Sequence, residues 1–222
     1  MGSVGNWYAK TTRFYRTVVK VREKKRKNTV KILTCALSAF GAIGLLLFHG
    51  SLPLKDSIQI GHLPKEFSIE VSNNYIDFQV ENECSAYASA YVMRHLGRQV
   101  AGSELYDDID RVLGFVSVNS VVSLFQSYGY TAKAYHGDNS TLKQRLISGV
   151  PVIAFIRTPD DTHYVVVVGY DENFIYLVDS ISDNANANGG WYNRKLSTEE
   201  FDAIWKTNMY PVENIYIVIS GS

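Results

Sequence analysis

The chain has 222 residues, enough for one folded domain of ordinary size and additional segments. Hydrophobic residues make up 46% and aromatic residues 13%, which is typical of a packed core and excludes a disordered chain. The formal net charge of zero hides an asymmetry, because residues 1–31 contain ten of the 22 basic residues and one acidic residue, Glu23. A basic head on an acidic remainder is not a general nucleic-acid-binding pattern, so no nucleic-acid partner is expected.

An uncharged apolar stretch follows the basic segment. Residues 32–48 read ILTCALSAFGAIGLLLF, and the stretch extends to about Leu52, which is long enough for one spanning helix. The basic cluster at 22–27 precedes it, so the positive-inside rule keeps residues 1–31 in the cytoplasm. We therefore predict a single-pass plasma-membrane protein with a transmembrane helix at 32–52 and an extracytoplasmic domain.

A cleaved signal peptide is the alternative interpretation of this stretch. The basic region is too long for one, and no small-x-small cleavage site follows, since the chain continues as HGSLPL at 49–54. Cys35 lies at the start of the apolar run, which also disfavours a lipoprotein anchor. An uncleaved anchor is the favoured interpretation.

The elements after the apolar stretch begin with a polar segment and several helices. Residues 53–74 contain two prolines and are predicted to be a stalk, with the folded domain at 75–222. The Ala-rich run 84–96 has no helix breaker and stops at Gly97, which predicts a helix with a glycine C-cap. The next elements are expected to be a short helix at 103–113 capped by Ser103, a helix at 120–128 ending at Gly129, a strand at 130–136, and a helix at 141–148 capped by Ser140.

The last third of the chain is rich in strand patterns. The runs 151–157 and 163–170 are continuously apolar, which suits strands covered on both faces. They are followed by a strand at 175–178, a helix from the capping box Ser197–Glu200 to about Trp205, and a closing strand at 214–220. Helices first and strands later predict an α+β fold with an N-terminal helical half and a C-terminal antiparallel sheet.

Cys84 is the one cysteine of the predicted exported domain, since Cys35 lies in the apolar stretch. A lone thiol in an exported protein is either used or buried as a small hydrophobic residue, and both remain open at this point. Its position at the start of a helix favours use, because the partial positive charge and free N–H groups of a helix N-terminus stabilise a thiolate and an oxyanion. Gln79, five residues upstream, offers a second oxyanion donor.

His163 and Asp179 open and close two successive predicted strands. In a hairpin turning near residue 171 they lie opposite each other on one face, where the carboxylate orients the imidazole. His95 lies about 16 Å along the helix from Cys84, His136 is a weak alternative base, and the other two histidines lie in the anchor and the stalk. No metal-ligand spacing or phosphate-binding loop occurs, so no cofactor or metal is expected.

The segments QVENECSAYASAYVMRHLG (79–97), GVPVI (149–153), HYVVVVGYD (163–171) and YLVD (176–179) resemble family 39 of the cysteine peptidases. This family comprises the bacteriocin double-glycine leader peptidases and their stand-alone relatives, and the resemblance covers most of residues 75–218. It implies a papain-like fold, a nucleophile at Cys84, a base at His163, an orienting acid at Asp179 and an oxyanion glutamine at Gln79. The chain departs from the family at Ser85, where glycine is usual, and at Ser180, where proline is usual.

The function expected from these residues is hydrolysis of peptide bonds in a peptide or protein substrate by a Cys-His-Asp triad. A preference for small residues such as Gly-Gly is implied by the resemblance alone. One alternative is a peptidoglycan stem-peptide endopeptidase or amidase, since Glu83-Cys84-Ser85 is similar to the Asp-Cys-Ser signature of those enzymes. The other is a catalytically inactive, anchored peptide-binding module on the same fold. The natural substrate and the oligomeric state stay open.

Overall fold

The computed structural model describes residues 31, 52–69, 74–111 and 114–221. All of these except Lys31 belong to a compact unit that runs from Leu52 to Ser222. The predicted transmembrane segment 32–52 lies outside the described residues apart from Leu52. Among the residues that are described, no helix has both the length and the apolar composition needed to cross a bilayer.

A single mixed sheet organises the described part of the chain. Its eight strands are β1 (Leu54–Lys55), β2 (Phe67–Ser68), β3 (Thr131–His136), β4 (Val152–Arg157), β5 (Thr162–Tyr170), β6 (Phe174–Val178), β7 (Arg194–Ser197) and β8 (Ile215–Ser220). Seven of them follow the order β1-β3-β8-β4-β5-β6-β7, and β2 pairs with β5 outside this path. Every neighbouring pair is antiparallel except β1 and β3, which run parallel.

Five α-helices in the described residues cover both faces of this sheet. They are α1 (Cys84–His95), α2 (Gly102–Tyr106), α3 (Val118–Ser127), α4 (Asn139–Leu146) and α5 (Thr198–Trp205), and a short 3-10 turn spans Ser182–Asn184. One hydrophobic core joins α1, α2 and α3 to one sheet face, and a second core joins α4 and α5 to the other. The sheet is therefore the central layer of three.

Burial of β4 and β5 on both sides follows from this arrangement. Every residue of β4 except Arg157 is buried, as is every residue of β5 except Thr162. This confirms the prediction made from the two continuous apolar runs. The predicted division into a helical half and a sheet half is wrong in detail, because α4 and α5 alternate with strands and pack on the face opposite α1.

The predicted stalk at 53–74 is partly folded into the sheet. Its strand β1 extends the edge of the sheet beside β3, and β2 pairs with the end of β5. Between them, the buried Asp56 carboxylate accepts hydrogen bonds from Arg145 Nη2 and Nε at 2.8 and 2.9 Å and from Tyr216 Oη at 2.5 Å. The stalk prediction is wrong for 54–69, because polar composition concealed a buried carboxylate with matched partners.

Helix ends depend on specific capping residues. Gly97 and Gly129 take positive φ angles of 91° and 87° after α1 and α3, as predicted, because glycine adopts the left-handed conformation without steric strain. The Ser197–Glu200 capping box is also confirmed at α5. The Ser140 cap is wrong, because Asp138 is the residue that accepts the hydrogen bond from Thr141 N at α4.

The predicted helix at 103–113 is much shorter in the structure. Helix α2 covers five residues, and its N-cap is Ala101 rather than Ser103. The Glu104 carboxylate accepts a hydrogen bond from Ala101 N at 3.3 Å, which is the half of a capping box that the N3 residue supplies. The chain then leaves the helix at Asp107, well before the predicted end.

Candidate active site

Cys84 is the first residue of α1, on the helix that packs against the centre of the sheet. Cys84 is half-buried, and among the described residues it is a cysteine that forms no disulfide. The N-cap residue Glu83 makes no side-chain capping hydrogen bond. The N–H groups of the first turn are therefore not taken by a capping side chain, and they face the end of the helix where an anion is stabilised.

His163 and Asp179 are brought together by an irregularity in the β5–β6 hairpin. The register of the hairpin shifts at Val168, which is an extra residue on β5. Past this bulge Val166 pairs with Val178, which puts Asp179 diagonal to His163 on the same face of the sheet. Without the extra residue Asp179 would face the other way, because a one-residue shift reverses the side-chain faces. The two residues are thus diagonal, not directly opposite as a turn near residue 171 predicts.

The imidazole and the carboxylate form a short buried hydrogen bond. His163 Nε2 lies 2.7 Å from Asp179 Oδ1, and the side chains are 2% and 0% exposed. An ionised carboxylate only accepts, so Nε2 is the donor. This leaves Nδ1 as the ring nitrogen that is free to serve Cys84.

Asp179 is held by several further donors. Its Oδ1 accepts from Ile181 N at 2.9 Å, and its Oδ2 accepts from Asn184 Nδ2 at 3.1 Å and from Arg194 Nη1 at 2.7 Å. Burial alone raises the pKa of Asp179, but the hydrogen bonds and the positive charges of His163 and Arg194 outweigh it and lower that pKa. Asp179 is therefore ionised and fixed in place.

The backbone around Asp179 is fixed as well. Asn193 uses both ends of its buried side-chain amide, accepting from Asp179 N at 2.8 Å and donating to Asp179 O at 2.8 Å. Sequence reasoning missed Asn193, Arg194 and Asn184. Their only signal is a polar cluster between the β6 segment and the Ser197 capping box, a pattern that is equally typical of a surface loop.

His163 also interacts with Cys84. Burial of the ring favours its neutral form, but hydrogen bonds to Asp179 and Cys84 outweigh burial and raise the pKa of His163 to about 9. The imidazole is consequently protonated at neutral pH beside the sulfur. An imidazolium held by a carboxylate and lying beside a cysteine sulfur is the arrangement that activates a cysteine nucleophile.

Gln79 lies at the edge of the same site. Its backbone N–H donates to Ser180 O at 2.9 Å, its side-chain Oε1 accepts from Ser180 Oγ at 2.6 Å, and its Nε2 donates to Glu81 O. The structure thus brings all four predicted site residues, Cys84, His163, Asp179 and Gln79, into one region of the molecule.

An open cleft of about 590 Å³ gives access to this region. It is lined by Gln79, Asn82, Cys84, Ser85, Gly114, Phe115, Val116, Thr158, Asp160, Asp161, Thr162, His163, Tyr164 and Ile181, and we call it the Cys84 cleft. The buried Tyr164 hydroxyl donates to Val116 O at 3.0 Å and anchors one wall to β5. The cleft has the volume of a typical ligand site and could hold several residues of an extended peptide.

The other described histidines lie outside the cleft. His95 ends α1, and its Nε2 is 2.9 Å from Gly149 O, while burial lowers its pKa. His136 is the last residue of β3 and pairs with Ile215 of β8. His62 is exposed on the segment between β1 and β2. The prediction that His95 is a structural residue agrees with its position.

The family model of the Peptidase C39 family matches residues 72–214, which is well over half of the chain. The chain belongs to the Peptidase C39 family. It is therefore a cysteine peptidase with a C39 peptidase fold. No curated protein matches the sequence.

Solved structures of C39 peptidase domains share the fold. A double-glycine-motif protease from an AMS/PCAT transporter, in complex with its leader peptide, is 19% identical, with a TM-score of 0.52 over 70% of this chain and 94% of that one. The peptidase domain of Streptococcus ComA, a bifunctional ABC transporter of a quorum-sensing pathway, is 16% identical, with a TM-score of 0.52 over 66% and 98%. A C39-like peptidase from Bacillus anthracis is 17% identical, with a TM-score of 0.52 over 70% and 100%. At these identities the likeness concerns the fold alone.

Proposed function

We propose that this C39 peptidase hydrolyses peptide bonds with a Cys84–His163–Asp179 triad and an oxyanion hole that includes Gln79. The observation that carries the proposal is the buried chain of interactions from Asp179 through His163 to Cys84, which ends in an open cleft. A half-buried thiol without this partner would support only a structural role. The order of acid, imidazole and thiol is the one that nucleophilic catalysis requires.

The first half of the reaction forms a thioester. The Cys84 thiolate attacks the carbonyl carbon of the scissile bond, and the negative oxygen of the tetrahedral intermediate is bound by the Cys84 N–H and Gln79 Nε2. The C–N bond then breaks while the His163 imidazolium gives its Nδ1 proton to the departing amine. Asp179 keeps the ring oriented and stabilises its positive charge throughout.

The second half releases the acid product. The neutral His163 removes a proton from a water molecule, which attacks the thioester carbonyl through a second oxyanion. The C–S bond breaks, the carboxylic acid leaves, and the thiolate and imidazolium are restored. Each step uses only the triad residues, the two oxyanion donors and water.

The substrate is proposed to be a peptide or protein that enters the cleft in an extended conformation. The leader peptide bound by the structurally similar double-glycine protease supports this class of substrate. The family resemblance favours small residues such as Gly-Gly before the scissile bond. The cleft offers an open groove, which suits a chain that extends beyond both sides of the nucleophile.

We also propose that the enzyme is anchored in the plasma membrane with its catalytic domain outside the cytoplasm. The support is the sequence alone, with a basic cluster at 22–27 followed by the apolar run 32–48. The test is membrane fractionation of cells that express a C-terminally tagged chain, followed by protease treatment of intact spheroplasts. A tag that remains in the soluble fraction, or that is protected in intact spheroplasts, would refute this topology.

Activity is tested with fluorogenic peptides in which Gly-Gly is linked to aminomethylcoumarin, together with a general peptide library. We expect cleavage by the wild-type chain and a loss of at least about 1,000-fold in Cys84→Ala and in His163→Ala. Purified peptidoglycan is the parallel substrate. Release of stem peptides without cleavage of the peptide library would favour the cell-wall alternative. Failure of Cys84 to react with iodoacetamide at neutral pH would favour an inactive binding module.

A further inference from the structure

Two hydrogen bonds join Gln79 and Ser180, which are 101 positions apart in the chain. The Ser180 hydroxyl donates to Gln79 Oε1 at 2.6 Å, and the Gln79 backbone N–H donates to Ser180 O at 2.9 Å. Ser180 is buried, with 6% of its surface exposed. The contact therefore joins a buried serine to a half-buried glutamine that lines the Cys84 cleft.

The Gln79 side chain makes a third contact that fixes which way its amide points. Its Nε2 donates to the carbonyl oxygen of Glu81. Because a carbonyl accepts only, the amide nitrogen must face Glu81, and the amide oxygen then faces the Ser180 hydroxyl. A planar amide held at both ends has one remaining direction for its second N–H group, and Gln79 lines the same cleft as Cys84.

We propose that Ser180 is a positioning residue that holds the Gln79 amide ready to bind the oxyanion. A glutamine side chain has several rotatable bonds, and a donor that must first be ordered contributes less than one already in place. The hydroxyl of Ser180 removes this cost before the substrate arrives. The inference rests on the proposed function of the Cys84 cleft and adds a residue that acts through Gln79.

The position of Ser180 next to Asp179 gives the arrangement its significance. Asp179 orients the imidazole, and Ser180 orients the oxyanion donor. Two consecutive residues after β6 therefore position both the general base and the oxyanion hole. The sequence has serine where the resembling family usually has proline. Proline has no hydroxyl and could not make this bond, so the Gln79–Ser180 contact belongs to this chain's own version of the site.

The test compares Ser180→Ala, Ser180→Thr, Gln79→Ala and the double variant on the Gly-Gly aminomethylcoumarin substrate. Loss of an oxyanion donor in Gln79→Ala is expected to lower kcat about 100-fold, and Ser180→Ala, which only releases that donor, about tenfold. Ser180→Thr keeps the hydroxyl and is expected to restore most of the loss. In the Gln79→Ala background, Ser180→Ala is expected to have no further effect on kcat.

Two thiol reagents separate positioning from general damage. A Gly-Gly peptide aldehyde forms a hemithioacetal whose oxygen uses the oxyanion hole, so its affinity should fall in Ser180→Ala in parallel with kcat. Alkylation by iodoacetamide needs no oxyanion hole, so its rate and pH profile should match those of the wild type. Ser148→Ala, whose hydroxyl donates to Arg145 O away from the cleft, is the matched control.

Unfolding midpoints are measured for every variant, and Ser180→Gly, which also lacks the hydroxyl, replaces Ser180→Ala if the alanine variant does not fold. Equal kcat and aldehyde affinity in the wild type and Ser180→Ala would overturn the inference while leaving the proposed function intact. An additive loss in the double variant would also overturn it, because Ser180 would then act independently of Gln79. Failure of the proposed function shows separately, as a wild-type chain that cleaves no peptide, and the inference falls with it.

Discussion

Asp179 Oδ1 accepts a hydrogen bond of 2.7 Å from His163 Nε2, and the Asp179 side chain is fully buried while the His163 side chain is 2% exposed. The contact depends on the bulge at Val168, because this extra residue turns both side chains toward the same face of the sheet. Arg194 and Asn184 hold the other carboxylate oxygen. The orientation of the imidazole is therefore determined by the sheet and by the loop that follows β6.

Replacing Asp179 by Asn should weaken catalysis and change its pH dependence. The carboxylate is one of the groups that raise the pKa of His163 to about 9. Without it we expect kcat/KM to fall about 100-fold and the alkaline limb of the profile, where imidazolium is lost, to move to lower pH. The measurement is kcat/KM from pH 5 to 10 on the fluorogenic peptide.

Asp183→Asn is the matched control for that experiment. Asp183 is an exposed carboxylate four positions further along the chain, within the 3-10 turn. Its removal should leave both the rate and the pH profile unchanged. An alkaline limb at the same pH in Asp179→Asn as in the wild type would show that the carboxylate does not control the ionisation of His163.

The titration of His163 should itself respond to the thiol. Burial lowers its pKa, and the hydrogen bonds to Asp179 and Cys84 raise it to about 9, so Cys84→Ala should lower the pKa of His163. Because the folded-state pKa lies above the ordinary value of 6.5, the group stabilises the fold fully below about pH 6.5 and loses this contribution as the pH rises through about 9. NMR titration of the imidazole and denaturant unfolding at pH 6 and 10 measure both effects. An unchanged imidazole pKa in Cys84→Ala would rule out the thiol–imidazole interaction.

Much of the fold was predictable wherever the local sequence alone determines structure. The apolar runs of β4 and β5, the breaker-free helix α1 ending before Gly97, and the capping box of α5 all appear as predicted. Strands β1, β2 and β7 were not predicted. They are two to four residues long and mostly half-exposed or exposed, so they carry no apolar alternation, and pairing with distant strands alone determines them.

The residues of the candidate site were predictable, but the bulge and the hydrogen-bond donors that hold them in position were not. Cys84, His163 and Asp179 occupy positions marked by a helix start and by strand ends, Gln79 lies five residues before that helix, and the structure brings the four together. Val168, the extra residue of the bulge, is the last of four consecutive valines, and the run does not show which valine is left unpaired, although Gly169 directly after it is a residue that often accompanies bulges. The donors to Asp179 come from a polar loop that could equally be solvated, so only the folded chain reveals them.

The ion pair of Asp56 with Arg145 should hold the segment before β2 on the domain. Its carboxylate is fully buried and paired with Arg145 and Tyr216, so Arg145→Ala leaves a buried charge without its cation. We expect a loss of about 3 kcal/mol in the free energy of unfolding. Hydrogen bonds and Arg145 overcome burial and keep the pKa of Asp56 below 3.8, so this stabilisation is present above about pH 4 and is lost as the pH falls through the lower folded value.

Urea unfolding at pH 7 and at pH 2 to 4 tests the contribution of the Asp56–Arg145 ion pair, with Lys133→Ala as the control. Lys133 is an exposed cation on β3. At the lowest pH at which both chains fold, Arg145→Ala and the wild type should have the same free energy of unfolding, because Asp56 is then protonated in both. A deficit of less than about 0.5 kcal/mol at pH 7 would mean that the segment is held by its strand pairing instead.

The Ser85 side chain should slightly lower the free energy of unfolding. Its side chain is 1% exposed, and its hydroxyl finds no hydrogen-bond partner among the described residues. A buried unpaired hydroxyl costs about 1 kcal/mol or more, and alanine is the better helix former in α1. Ser85→Ala is therefore expected to stabilise the fold by about 1 kcal/mol while kcat/KM changes less than about threefold, because the Cys84 N–H and Gln79 remain in place.

Ser85→Gly, which restores the residue usual in the resembling family, is expected to be about 1 kcal/mol less stable than Ser85→Ala. Chemical denaturation with parallel kinetics distinguishes these outcomes, and a marked loss of kcat in Ser85→Ala would instead assign the hydroxyl a contact with the bound substrate.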